Sequence, residues 1–280
     1  MLLQRDVPVR IFGKASIGER VSVAFREQTV QATTDVLGRW EVWLAPMKPA
    51  PATEMTVRGN NTLKLSDVLV GDVWIGSGQS NMQWAVQQSN NAAQESASAT
   101  FPEIRLFYVP RKPSGVPVDD VDAKWEVCTP ETVKRFSAVL YYFGRQLHQD
   151  LKIPMGLIHS SWGGTPIAAW LSGPALSANP QLAPFSTFWA DAIAKYPDNM
   201  TRYEQTLKKW EEGGSKGNRP GLPLGPGNPH EPTSLYNGML APLVKYTIKG
   251  ALWYQGETEA GRGQGSYLWE RFDEPGAGLA

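Results

Sequence analysis

Three short blocks contain the residues best suited to chemistry: GSGQSNM at 76–82, SSWGGTP at 160–166 and YQGETEA at 254–260. A serine nucleophile needs a tight turn that exposes its oxygen, with backbone N–H groups nearby for developing negative charge. Gly76 and Gly78 supply the turn around Ser80, and Ser77 is a rival by the same reasoning. A serine at this place is equally suited to capping a helix. In the second block, Gly163 and Gly164 can bring a bare backbone N–H close to a substrate oxygen, because no side chain stands in the way. The alternative there is an ordinary turn with Thr165 capping the next helix. In the third block, Gln255 can donate an amide hydrogen bond to an oxyanion or be plain polar surface. If the three blocks meet at one crevice, their residue types would suit acyl transfer through a serine.

These blocks follow runs that read as buried strands. Val68–Gly76 is almost continuously apolar, which fits a strand covered on both faces of a parallel sheet, and Met155–His159 and Lys249–Tyr254 follow the same plan. Between them, Val139, Leu140, Phe143 and Leu147 mark one helical face within 137–151, and 201–212 reads as a more polar helix. Strands alternating with helices predict an α/β domain with a parallel sheet, whose ligands bind at the carboxyl ends of the strands. Residues 1–67 differ. Alternation at Val7, Val9 and Ile11, at Val21, Val23 and Phe25, and at Trp40, Val42 and Leu44 predicts half-buried strands of a small β-sandwich. Asp35-Val36-Leu37-Gly38 reads as a hairpin turn, and Gly59-Asn60-Asn61 separates a further pair, 55–58 and 62–65. The two modules, 1–67 and 68–280, are expected to meet near residue 67. Residues 213–234, rich in Gly, Pro and Asn, form a loop long enough to suggest a functional role.

Composition narrows the field. Lys plus Arg equals Asp plus Glu at 27 each, so no basic surface points to nucleic acid. The runs at 208–209 and 211–212 read as a solvated helix face. Cys128 is the only cysteine, which excludes an intrachain disulfide. No apolar run is long enough for a membrane span. MLLQRDVPVR meets charge too early to be a signal peptide. The 11 Trp and 9 Tyr suit a core and also the flat faces that bind sugars.

The stretches DVWIGSGQSNMQW, GLIHSSWGGTPIAAWLS and LYNGMLAPLVKYTIKGALWYQGETEA together resemble the sialate O-acetylesterase family, a branch of the SGNH hydrolases, from about Leu3 to about Gly263. The resemblance implies a three-layer α/β/α domain with β-sandwich material beside it. It implies hydrolysis of acetyl esters on sugars through an acetyl-serine intermediate. Ser80 corresponds to the nucleophile. Its own N–H, that of Gly163 or Gly164, and the Gln255 side chain correspond to the oxyanion hole. Asn81, His230 and Glu257 are expected beside the substrate. No metal or organic cofactor, nucleic acid or membrane is implied, and family members are commonly secreted, periplasmic or lysosomal.

The family's catalytic histidine and its acidic partner lie in a D-x-x-H-P-like block near the C-terminus, and this sequence has none. From 264 it reads QGSYLWERFDEPGAGLA, off the family pattern, and it starts inside the family's first strand region. The resemblance therefore implies a fragment or a frameshifted reading frame, with an open sheet edge and a marginal fold. A serine without a base is a poor nucleophile. Of the three histidines, His148 reads as a helix-face residue and His159 as a packed residue near the crevice. His230, in NPHEPTSLYNG, is the best placed to approach substrate but does not match the family's catalytic histidine. Glu257 and Glu259 read as hydrogen-bonding structural residues rather than general bases.

Overall fold

The computed structural model describes residues 1–261. Residues 264–280, where the sequence leaves the family pattern, lie outside the described residues. The chain forms two compact units. The first contains Met1–Pro110, Asp122–Gly163 and Leu243–Gln255; the second contains Arg111–Val121, Gly164–Pro242 and the segment from Gly256.

The first unit opens with seven strands: β1 (Leu2–Gln4), β2 (Val9–Lys14), β3 (Arg20–Phe25), β4 (Gln28–Thr33), β5 (Arg39–Leu44), β6 (Ala50–Arg58) and β7 (Thr62–Gly78). Alternation decides what each buries. β5 hides Trp40, Val42 and Leu44, and β3 hides Val21, Val23 and Phe25. These side chains share one core with Val9, Met55, Val68 and Val70. The strands belong to two sheets: β2 pairs antiparallel with β5, while β4, β3, β6 and β7 lie side by side. Asp35–Gly38 is a turn, with Asp35 Oδ1 accepting from the N–H groups of Leu37 and Arg39, each at 2.8 Å. It is not a hairpin, however. It carries the chain from β4 in one sheet to β5 in the other, because β5 continues its pairing through Ala15 N–H to Gly38 O at 2.9 Å. The 59–61 turn does close a hairpin, with Arg58 opposite Thr62.

β7 runs through residue 67 without interruption. Its first six residues are exposed and pair with β6. The next six are buried. At the change, Asp67 takes a positive φ of 57° and accepts two hydrogen bonds from Arg105, at 2.6 and 2.8 Å.

Beyond β7 come α1 (Ser80–Gln83), α2 (Ala92–Ala97), β8 (Phe101–Tyr108), β9 (Trp125–Cys128), α3 (Ala138–Leu151), β10 (Met155–Ser161) and β11 (Gly250–Tyr254). Their sheet order is β11-β7-β10-β8-β9, parallel except for β9, so this part of the fold is a mixed α/β sheet with helices. Sequence reading missed β8. α3 starts where Ser137 Oγ accepts from Leu140 N–H at 3.2 Å, and it lies directly on β10: a Cβ on Gly144 would stand 2.5 Å from Leu157 Cδ2. β10 is buried throughout, as its sequence predicts. β11 is only half-buried, contrary to expectation, because among the described residues β7 is the only strand paired with it.

A polar lock sits at the base of the parallel strands. Buried Asp72 of β7 accepts from Arg5 Nε and Nη2 at 2.9 and 3.0 Å and from Gln4 Nε2 at 3.0 Å. Gln4 Oε1 accepts the Val73 N–H at 2.8 Å.

The second unit contains α4 (Gly173–Ala178), α5 (Ala183–Ala194), α6 (Tyr196–Glu212) and α7 (Glu257–Gly261). No helix or strand occurs within 213–233. Buried Asn237 anchors the 111–121 segment, its Nδ2 donating to Ser114 O at 3.2 Å and its carbonyl accepting from Val118 N–H at 3.0 Å.

Two measurements check this account. Asp72→Ala removes the acceptor of three hydrogen bonds and should lower unfolding free energy by about 2–3 kcal/mol, read as a reduced urea midpoint. Cys128 is buried, which pushes its thiol from 9.0 up to about 12. The folded thiol therefore keeps a proton that the unfolded one releases near 9.0. This contribution to stability is complete below that value and declines as pH rises toward about 12. A thiol reagent at pH 8 should label the native protein far more slowly than the urea-unfolded chain. Equal rates would contradict the burial of Cys128.

Candidate active site

Parallel pairing sets the geometry of this site. Gly78 of β7 lies opposite Ser161 of β10 on one side and Tyr254 of β11 on the other, so three strands end together. Gly78 has a φ of +125°, and a Cβ there would fall 2.1 Å from Tyr254 O. Only glycine fits so close an approach in that conformation. The Gly78 carbonyl accepts from Trp162 N–H at 3.0 Å, and Gln79 N–H donates to Tyr254 O at 2.9 Å. Bonded to both neighbours, the chain turns sharply and enters α1.

Ser80 is the first residue of α1 and is exposed. Gln79 holds the N-cap position, without a side-chain cap bond. The Ser80 hydroxyl is therefore not spent on capping the helix. Ser77 points elsewhere: it lies within β7, 4% exposed, and its Oγ has no hydrogen-bond partner among the described residues.

Gly163 brings backbone against Ser80. A Cβ on Gly163 would stand 3.0 Å from Ser80 Oγ and 3.0 Å from Gln83 Oε1. The Gly163 N–H donates to Gln83 Oε1 at 2.5 Å. Sequence reading did not single out Gln83. Its signal was the spacing of three from Ser80, which puts both on one side of a helical turn. Gln255 directly follows Tyr254; its side chain is half-buried, with Oε1 inaccessible to solvent. Asn81 is half-buried in α1. The block residues Gln79, Ser80, Asn81, Gln83, Ser160, Ser161 and Gln255 are all uncharged.

Two histidines of the first unit are engaged elsewhere. His148 Nδ1 is 2.7 Å from Ile153 O. His159, 1% exposed, has Nε2 2.5 Å from Ser161 Oγ and its ring edge-on to Tyr108 and Phe136. The remaining expected residues belong to the second unit. Gly164 has a φ of +77° with open space around its Cβ position. His230 is half-buried, its N–H donating to Asn228 Oδ1 at 2.9 Å. Glu257 is exposed at the start of α7, and the Glu259 side chain lies outside the described residues. Thr165 does not cap a helix; its Oγ1 accepts from Trp170 Nε1 at 2.9 Å, and Pro166 precedes the short helix Ile167–Trp170. Among the described residues, no helix is long and apolar enough to cross a membrane, and no cluster of three or more His, Cys, Asp or Glu is arranged to hold a metal ion.

No family model matches the chain. It is 34% identical to the sialate O-acetylesterase of Homo sapiens over 279 residues, 92% of this chain and 47% of that protein. With the sialate O-acetylesterase of Rattus norvegicus it shares 34% over 291 residues, 93% of this chain and 51% of the relative. In sequence, the chain is a relative of the sialate O-acetylesterases. It spans about half the length of the curated relatives it matches. The crystal structure of a carbohydrate acetylesterase from Xanthomonas citri superposes with a TM-score of 0.72 at 30% identity, covering 92% of this chain and 49% of that one.

Two glycine variants separate the roles of the turn. Gly78→Ala combines a disallowed φ with a backbone clash and should destabilise the protein by at least about 2 kcal/mol. Gly164→Ala keeps only the conformational penalty and should cost about 1 kcal/mol. Thermal melts of the two would show the order, and equal losses would contradict the close approach at Gly78.

Proposed function

We propose that the chain carries the nucleophile and oxyanion-binding parts of a carbohydrate O-acetylesterase. One observation carries this reading: an exposed serine lies beside the bare backbone of Gly163 at the shared end of three parallel strands. The names of the relatives agree with it. In this reading Ser80 Oγ loses its proton to a base and adds to the acetyl carbonyl carbon. The carbonyl oxygen becomes an oxyanion held by the N–H groups of Ser80 and Gly163 and by the Gln255 amide. Collapse expels the sugar oxygen, which leaves protonated as the free hydroxyl. Water then adds to the acetyl-serine, and acetate leaves as Ser80 regains its proton. The chemistry needs no metal or organic cofactor.

The fold reading belongs to the same proposal. Strands of 1–67 form a β-sandwich module, and residues from 68 form a three-layer α/β/α domain of SGNH type. Asn81, His230 and Glu257 are assigned to substrate binding. The substrate is an acetylated carbohydrate, supported by exposed aromatic faces at the site: Trp84, directly after α1, is 51% exposed with its indole N–H fixed on Gln88 O at 3.0 Å, and Tyr254 is 46% exposed. Flat apolar faces with polar edges suit sugar rings. A balanced charge supports no role for nucleic acid.

The base is the open part of the constellation. His148 and His159 are held by other partners, and His230 differs from the family's catalytic histidine. These observations favour a second reading, in which these 280 residues bind acetylated sugar but turn over only slowly. Imidazole separates the two. Hydrolysis of p-nitrophenyl acetate by the parent, corrected for Ser80→Ala, should be weak alone and rise saturably with added imidazole, which can act as a general base. Full activity without imidazole would mean that the chain holds its own base. No difference from Ser80→Ala at any imidazole concentration would remove Ser80 as the nucleophile.

A further inference from the structure

Gln83 occupies the very donor that the proposed chemistry needs. Its Oε1 accepts the Gly163 N–H at 2.5 Å, and it lies 3.0 Å from the point where a Gly163 Cβ would start, the same distance as Ser80 Oγ. The two oxygens thus flank one small space above Gly163. An acetyl carbon bonded to Ser80 Oγ, with its oxygen on the Gly163 N–H, would fill that space. Two oxygens sharing one N–H would each lie off the line of the N–H bond, and both bonds would be weaker than one aligned bond. We propose that Gln83 is a positioning residue that plugs the oxyanion donor in the resting protein and is displaced by the acyl oxygen. This rests on the esterase reading, which makes Gly163 the donor.

The local structure lets the side chain move alone. Gln83 closes α1, and its own N–H donates to Gln79 O at 2.9 Å, so the backbone is held while the side chain changes rotamer. The chemistry of the plug matters as well. An amide carbonyl and an ester carbonyl are both neutral acceptors, so a ground-state substrate gains little by replacing Gln83. An oxyanion gains more, because hydrogen bonds to a charged acceptor are about twice as strong. Exchange of Gln83 for substrate oxygen therefore favours the transition state over the bound ester, which is the condition for raising the rate of the chemical step. While the site is empty, the plug also keeps the Gly163 N–H satisfied.

The test uses the whole 280-residue chain, labelled with nitrogen-15, and sodium acetate, the reaction product, as probe. The Gly163 amide resonance is followed in the parent, in Gln83→Ala and in Gln83→Met, which keeps the bulk but loses the acceptor. Before acetate, the Gly163 resonance should move upfield in both variants. Acetate should then bind both about fivefold more tightly than the parent, the ratio expected for removing one competing neutral hydrogen bond. Unchanged or weaker acetate binding in the variants, or no response of Gly163 to acetate in any form, overturns the plug. Because acetate binding needs no turnover, the result stands apart from the Ser80→Ala assay. Loss of the esterase reading would appear there, and loss of the plug here.

Discussion

The parallel pairing of β7 with β10 on one side and β11 on the other ends at the same residue, Gly78. Parallel strands keep a fixed register, so whatever follows each strand is delivered to the same edge of the sheet. The absence of a side chain at Gly78 lets Tyr254 O close up to accept the Gln79 N–H. The sharp turn that exposes Ser80 follows from that contact, and so does the placement of Gln255 one residue beyond β11. At the other end of the same strands, Asp72 fixes β1 to β7 through Arg5 and Gln4. The strand that bears the serine is thus pinned at its base by a buried carboxylate and at its tip by a glycine.

β7 also joins two environments that the sequence reads as separate modules. Its exposed half pairs within the antiparallel sheet, and its buried half forms the centre of the parallel one. Asp67, with positive φ and a bidentate bond to Arg105, sits where the burial pattern changes. A strand that spans both sheets couples them mechanically, since a shift of register on one side would displace Ser80 on the other. The amide contact between Gln83 and the Gly163 N–H beside Ser80 fits the same picture. Amide dipoles stabilise charge only when already in position, and position here comes from the sheet.

Much of this was legible in the sequence. The continuous apolar runs of β7 and β10 identified strands covered on both faces, and the alternation in β3 and β5 identified strands covered on one. Gly76, Gly78 and Ser80 in one block, and Gly163 and Gly164 in another, pointed to a tight turn and a bare backbone. β8 escaped notice because Pro102, Glu103 and Arg105 break its apolar run. Arg105 is tolerated there only because Asp67, distant in sequence, receives it. The 35–38 turn was visible, but not that its flanking strands lie in different sheets, because local turn chemistry carries no information about the partners beyond it.

Residue types and spacing by themselves determined the α/β class and the glycine-framed serine. These depend on local conformational preference and on burial periodicity, both written along the chain. Only the tertiary structure decided that Ser80 rather than Ser77 faces outward, that Gln79 takes the cap position, and that the Gly163 N–H is held by Gln83. Each depends on which strand ends meet at Gly78, and strand register is fixed by pairing between residues far apart in sequence, which no local pattern contains.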